Sequence, residues 1–193
     1  MKKVLLFLAN GFEVLEASVF IDVMGWNYLE GDGTTKLYTC GLQKEIVSSF
    51  NQRVLVDLLI DEVDVESFDA LAIPGGFEEY GYYSDAFDNR VLNLIKSFND
   101  CNKIIASICV AALPLGKSGI LQGKDGTTYN SPKRREALQS YGVNFVGKPI
   151  VQTGNIITSH GPSTAKDVAF LLLEHLTSIA NAQTVAQLMG FDK

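Results

Sequence analysis

The segment around Cys109 combines a thiol with the pattern of a sharp strand-to-helix turn. An apolar run of strand character, residues 104–108, meets a run of helix-forming residues, 110–113. Such a turn pushes a side chain out above the sheet edge, where the N–H groups of the new helix point at it. A thiol held there is stabilised as the thiolate, which is its reactive form. The alternative is a buried cysteine of a core strand, because free cysteine is among the most buried residue types.

Three further segments with unusual residues follow predicted strands. They are residues 10–16 after the first strand, the Pro-Gly-Gly-Phe of residues 74–77, and the Ser-His-Gly-Pro-Ser of residues 159–163. Parallel α/β sheets place their sites at the carboxyl ends of the strands. The sequence therefore predicts that these segments and Cys109 converge on one site.

The elements that position these segments alternate between strand and helix. Apolar runs predict strands at residues 3–9, 35–40, 70–73 and 104–108, a short strand at 127–129, and hairpins about residues 50–52 and 153–155. Apolar positions spaced by three and four predict helices at residues 14–27, 85–99, 132–141, 163–176 and 180–189. Strands separated by helices of this length imply a mainly parallel sheet covered on both faces. Without an internal repeat or a linker, residues 1–193 are predicted to form one domain.

Composition excludes several classes of function. The 193 residues carry a formal net charge of −6, which argues against nucleic acid or an anionic membrane as partner. Three cysteines make no disulfide framework, and with two histidines they lack the spacing of a metal site. No apolar stretch is long enough to span a bilayer, and no signal peptide is recognisable, so we expect a cytoplasmic protein. No nucleotide-binding fingerprint follows the first strand, and no cofactor is expected.

Taken together, the motifs resemble the DJ-1/PfpI (ThiJ) superfamily over nearly the whole chain. The resemblance rests on a Glu in the first helix (Glu16), Pro-Gly-Gly at residues 74–76, Ile-Cys at 108–109 and Ser-His-Gly-Pro at 159–162. It implies a flavodoxin-like three-layer sandwich, no cofactor and a homodimer. The protease branch has His directly after the nucleophile, whereas this chain has Val110. The chain thus looks closer to the DJ-1 branch, and a protease is not expected.

The resemblance also implies roles for individual residues. Cys109 would be the nucleophile or an oxidation-sensitive thiol, and Glu16 the acid that contacts it. Backbone N–H groups of Gly75, Gly76 and Val110 would hold an oxyanion. Burial beside a thiolate would keep Glu16 protonated, so that it could donate a hydrogen bond and shuttle a proton. By its local sequence alone, Glu16 reads as a solvated acid on a helix face.

Two positions depart from the family pattern. Tyr129 occupies the place where many relatives carry a His near the thiol, and a phenol is a poor base at pH 7 but a good hydrogen-bond donor. We therefore assign Tyr129 to substrate binding. His160 is the other candidate base, although a His in a strand-end loop is more often a structural hydrogen-bonding residue. Arg53, in the first hairpin, matches a basic position of the DJ-1 branch and is expected at the site rim or against a dimer partner.

Two classes of function fit these residues. In the first, a cofactor-free enzyme acts on small reactive carbonyls, as a glyoxalase or deglycase does, with Cys109 as nucleophile and Glu16 moving the proton. In the second, Cys109 is a redox sensor that acts through a partner or as a stress-response chaperone. Both use one thiol and one acid, so the geometry of His160 and the size of the cavity must separate them. We favour the enzyme.

Overall fold

A seven-stranded sheet forms the centre of the protein. A computed structural model describes residues 1–191 of the chain. The strands run in the spatial order β10-β11-β7-β6-β1-β2-β5, and only β10 is antiparallel to its neighbour. These strands are β1 (Lys2–Phe7), β2 (Thr35–Gly41), β5 (Leu58–Leu59), β6 (Ala70–Ile73), β7 (Ile104–Ser107), β10 (Ile150–Thr153) and β11 (Ile156–Ser159). Two small ribbons lie outside the sheet: β3 (Glu45–Val47) with β4 (Arg53–Leu55), and β8 (Asp125–Gly126) with β9 (Asn144–Phe145).

Helices cover the sheet in two groups. One group, whose members pack on one another, contains α1 (Val14–Glu30), α6 (Ala165–Leu176) and α7 (Ile179–Leu188). The other contains α2 (Tyr82–Ala86), α3 (Asn89–Asp100), α4 (Ala112–Ser118) and α5 (Pro132–Ser140). The mainly parallel sheet with helices around it confirms the predicted α/β, flavodoxin-like architecture. Within residues 1–191, no helix combines the length and the apolar character that crossing a membrane requires.

Two of the predicted elements are wrong. The helix predicted over residues 85–99 is two helices, because the side chain of Asp88 accepts the N–H of Arg90 and starts α3 anew. The strand predicted over residues 127–129 does not form. Instead the N–H of Thr127 donates to Oγ1 of Thr158 at 3.0 Å, and the ladder ends at Gly126.

The three strands that precede the predicted site lie side by side. Strand β1 pairs in parallel with β6, and β6 pairs in parallel with β7. All four residues of β6 are buried, as befits a central strand covered on both faces. The carboxyl ends of β1, β6 and β7 therefore meet at one edge of the sheet, which is where the segments at residues 10–16, 74–77 and 109 begin.

Helix α1 contains a glycine that packing does not require. Gly25 is exposed, and a Cβ built on it would meet no atom within 4 Å. We expect Gly25→Ala to stabilise the protein by about 0.5–1 kcal/mol, because alanine loses less backbone entropy in a helix. Urea unfolding of the two proteins measures the difference. Destabilisation would mean that another surface packs on the helix at this position.

Candidate active site

The predicted elbow is present at Cys109. This residue has φ 60°, a left-handed conformation that is uncommon for a residue with a side chain, and a single helical turn, Cys109–Ala111, leads into α4. Two hydrogen bonds fix the turn: the N–H of Ile108 donates to the carbonyl of Ile73 at 3.1 Å, and Oγ1 of Thr128 donates to the carbonyl of Cys109 at 3.0 Å. Such strained positions persist only where the surroundings enforce them, and they cluster at functional sites.

Glu16 lies in the first turn of α1 and is completely buried. Its Oε2 accepts the backbone N–H of Gly75 at 2.7 Å. The thiol of Cys109 is close enough to lower the pKa of this carboxyl by hydrogen bonding, and Oε1 has no hydrogen-bond partner within residues 1–191. Burial, and then the charge of Glu13, raise the pKa of Glu16 from 4.5 to about 8. The raised pKa favours the protonated carboxyl at pH 7, beside the thiol, and its role as a proton shuttle stays a prediction.

The thiol of Cys109 experiences opposing influences. Its side chain is buried, with the residue 6% exposed, and burial followed by the nearby charge of Glu16 raises its pKa. A hydrogen bond from the N–H of Val110 lowers the pKa. The structure thus supplies an N–H donor of the predicted kind, together with a desolvation that favours the neutral thiol. Stabilisation of the thiolate stays a prediction.

The three backbone N–H groups assigned to an oxyanion have different partners. That of Gly75 is committed to Glu16, which corrects its predicted role: Gly75 positions the acid. That of Val110 points at the sulfur of Cys109, and that of Gly76 has no acceptor within residues 1–191. Gly75 is also needed for space, because a Cβ there would lie 2.8 Å from Cβ of Cys109 and 2.9 Å from Oε2 of Glu16. Gly76 and Val110 stay candidates for the oxyanion.

Of the remaining predicted residues, Tyr129 lines the cavity that contains Cys109, whereas His160 and Arg53 do not. Tyr129 is half exposed and lines the cavity that contains Cys109. His160 is not among the residues lining this cavity; burial lowers its pKa, and its Nε2 has no hydrogen-bond partner within residues 1–191. A direct role of His160 therefore stays a prediction without a contact to support it. Arg53 forms an exposed ion pair with Glu45 and does not line the cavity either.

A cavity of about 280 Å³ opens onto the thiol. Besides Cys109, Val110, Gly76 and Tyr129, it is lined by Glu13, Phe77 and Pro162, which belong to the segments predicted to converge on the site, and by Glu78, Glu79 and Arg134, which lie outside those segments. Glu13 is half-buried, and burial raises its pKa. The position of Glu13, one helical turn before Glu16, could have indicated from the sequence that Glu13 lies near the site. For Arg134, no local pattern distinguishes it from the basic residues on either side.

This arrangement can perform chemistry without a cofactor. The site combines a thiol, a carboxyl with a raised pKa and two backbone N–H groups, one of which is directed at the sulfur. The cavity beside them is large enough for a small molecule. No group of three or more metal-ligating side chains of His, Cys, Asp or Glu occurs within residues 1–191. What the site offers is addition of sulfur to an electrophilic carbon, with the carboxyl as proton donor or acceptor.

Comparison with known proteins gives consistent matches along the chain. The profile of the DJ-1/PfpI family matches residues 2–175. Protein dj-1beta of Drosophila melanogaster is 31% identical over 189 residues, which cover 96% of this chain and 95% of that protein. Its crystal structure superposes with a TM-score of 0.86 at 29% identity, covering 100% of this chain and 99% of that one.

A second relative carries the name of an activity. Deglycase PH1704 of Pyrococcus horikoshii is 29% identical over 162 residues, 83% of this chain and 91% of that protein. Two other relatives, from Arabidopsis thaliana and Methanocaldococcus jannaschii, are longer, and the matched segment spans 37% and 58% of their length. The family profile covers most of the residues that build both the sheet and the Cys109 site. The chain belongs to the DJ-1/PfpI family.

Proposed function

We propose that the protein is a cofactor-free enzyme that acts on small reactive carbonyl compounds, in the manner of a deglycase or glyoxalase. The observation that carries the proposal is the thiol of Cys109, which lines a cavity of about 280 Å³ and has the buried carboxyl of Glu16 beside it. This volume is at the lower end of ligand-binding cavities and suits a metabolite of a few non-hydrogen atoms. A pure redox sensor needs no such space, so the cavity favours the enzyme. The name of the Pyrococcus relative supports the same class.

The proposed first step is addition of the Cys109 sulfur to the aldehyde carbon of a substrate such as methylglyoxal. A C–S bond forms, the carbonyl π bond breaks, and the thiol proton reaches the carbonyl oxygen by way of Glu16, giving a hemithioacetal. A carboxyl whose pKa is about 8 accepts and returns a proton with little driving force either way, which is the condition for efficient proton transfer near neutral pH.

In the second step, the hydrogen on the former aldehyde carbon moves, as a proton, to the neighbouring carbon. Glu16 carries this proton too. The hydroxyl proton of the hemithioacetal passes to the ketone oxygen, and the electron pairs shift so that the ketone becomes an alcohol and the hemithioacetal becomes a thioester. Water then hydrolyses the thioester, releasing lactate and the free thiol. The sequence of steps is redox-neutral overall and needs no other reactant. The N–H groups of Gly76 and Val110 are the proposed donors to the oxygen that becomes negative.

Conversion of methylglyoxal to lactate tests the proposal. Lactate is measured directly, in a buffer free of amines and thiols, because these react with methylglyoxal on their own. We expect turnover by the wild type, none above the buffer rate for Cys109→Ser, and a loss of about 10²–10⁴-fold in kcat for Glu16→Gln. Cys101→Ser is the matched control, because Cys101 is an exposed thiol remote from the cavity and its loss leaves turnover unchanged.

Absence of lactate from the wild type would contradict the proposal. Titration of Cys109 with peroxide would then test the redox sensor, which uses the same thiol and acid. The homodimer and the cytoplasmic location implied by the resemblance and the composition stay predictions.

A further inference from the structure

The cavity above Cys109 is lined by more acidic than basic groups. Glu13, Glu78 and Glu79 contribute carboxylates, whereas Arg134 is the one cation among the lining residues that the structure describes. The positive charge of Arg134 is already engaged, because its Nη2 donates to Oε2 of Glu78 at 2.9 Å. Lys133, outside the lining, reaches the same carboxylate at 3.0 Å.

Two of the three acids have no counterion. Within residues 1–191, neither Glu13 nor Glu79 forms an ion pair or a side-chain hydrogen bond. Glu13 is half-buried, so water screens its charge less than that of an exposed acid. Its charge is felt at the reacting groups, since it helps to raise the pKa of both Glu16 and Cys109.

The contacts of Arg134 with neighbouring side chains make it a weak binding group for an anionic substrate. Its guanidinium lies over the ring of Tyr83, 4.9 Å from the centroid, and its side chain is only 19% exposed. The charge of Arg134 is already largely offset by Glu78, so Arg134 offers a substrate carboxylate only a weakened attraction.

We propose that this cavity selects its substrates by charge, admitting uncharged carbonyl compounds to Cys109 and rejecting those that carry a carboxylate or phosphate group. That the selected molecules are carbonyl substrates rests on the proposed function. The charge selection itself depends only on the electrostatic field at the thiol of Cys109. Cys109, which lines the cavity and has the buried carboxyl of Glu16 beside it, marks where the reactive part of the ligand would bind. Glu13 and Glu79 are the specificity-determining residues, because theirs are the charges that no neighbour offsets.

Alkylation of Cys109 measures the charge selection without requiring any turnover. Iodoacetamide and iodoacetate are similar in size and transfer similar groups, but only iodoacetate is negatively charged. The rate of modification of the Cys109 peptide is followed by mass spectrometry for each reagent, and the ratio of the two rates is divided by the same ratio for 2-mercaptoethanol. We expect this normalised preference for iodoacetamide to be on the order of tenfold, the effect of one or two unit charges several ångströms away.

Variants then assign the effect to the named charges. Glu79→Gln is expected to reduce the preference for iodoacetamide. The double variant, in which both Glu13 and Glu79 are replaced by Gln, is expected to bring the preference close to one. High salt is expected to weaken the preference in the wild type. Glu30→Gln, which removes an exposed acid at the far end of α1, is the matched control and leaves the preference unchanged. A normalised preference near one in the wild type would overturn the proposal. A preference for iodoacetate would do so too, and would identify Arg134 as an anion-binding residue.

The same selection is expected among substrates. 2-Oxohexanal and 4,5-dioxopentanoate are both α-oxoaldehydes of similar size that can undergo both proposed steps, and only 4,5-dioxopentanoate is anionic, so kcat/KM for 2-oxohexanal should exceed that for 4,5-dioxopentanoate and the double variant should narrow the difference. Equal values in the wild type would contradict the charge selection while leaving the proposed function intact. If neither compound is converted, the proposed function fails, and the alkylation ratio still decides the charge selection.

Discussion

Replacing Glu16 with Gln is expected to remove most of the dependence of stability on pH between about pH 4.5 and pH 8. In the folded protein the pKa of Glu16 is raised to about 8, whereas the ordinary value is 4.5. Between these values the folded state binds a proton that the unfolded state does not, so the free energy of unfolding falls as pH rises. Each pKa unit corresponds to about 1.4 kcal/mol, and the whole interval to at most about 5 kcal/mol.

The amide of Gln has no charge to bury, and its oxygen can still accept the N–H of Gly75. Urea unfolding of wild type and variant at several pH values from 5 to 9 gives the comparison, in which contributions of other titrating groups, such as His160, cancel. We expect the variant to gain a few kcal/mol relative to the wild type as pH rises. Glu30→Gln is the control and should parallel the wild type. Parallel curves for Glu16→Gln would show that Glu16 ionises as freely in the folded protein as in the unfolded chain.

Gly76→Ala is expected to destabilise the protein by about 3 kcal/mol and to disrupt the site. A methyl group at Gly76 would overlap the carbonyl oxygen of Gly11 and the ring of Tyr82. Neither neighbour can move freely: the Gly11 carbonyl accepts the N–H of Phe77 at 2.9 Å, and Tyr82 is fully buried with its hydroxyl bonded to the carbonyl of Pro74. The backbone would have to shift, and Gly75 with it.

A glycine in an open loop provides the control for this variant. A Cβ on Gly147 would meet no atom within 4 Å, so Gly147→Ala should leave stability unchanged or raise it slightly. Urea unfolding measures both, and thiol alkylation of Cys109 reports on the site. A loss below about 1 kcal/mol for Gly76→Ala would mean that the loop after β1 yields to the added methyl.

The sequence was most informative where chemistry and backbone geometry coincide. The sharp turn at residue 109 was predicted from the local pattern, whereas the meeting of Cys109 with Glu16 was predicted only from the family resemblance, because the local sequence of Glu16 is that of a solvated acid. The commitment of the Gly75 N–H to Glu16 could not be foreseen, because it depends on the height at which α1 crosses the loop after β6. Likewise, α3 begins anew because the side chain of Asp88 caps it. The local sequence does not show whether Asp88 caps a helix or points into solvent.

The acidic character of the cavity lies beyond sequence reasoning for a different reason. Glu78 and Glu79 belong to a short turn after β6, and Arg134 to a helix more than fifty residues later. The packing of that helix against Tyr83 determines which of the basic residues at 133–135 faces the cavity. Pairing across such a distance is a property of packing, and no periodicity in either segment encodes it.

The side-by-side arrangement of β1, β6 and β7 has a consequence for folding kinetics. Glu16, Gly75 and Cys109 are distant along the chain and come together only after three parallel strands have paired. Parallel pairings close long loops before any contact compensates for the lost entropy, so they form slowly. In the unfolded chain Cys109 is an ordinary thiol, and it acquires its buried environment only when the centre of the sheet is complete. The change in its rate of alkylation during refolding therefore reports when the centre of the sheet is assembled.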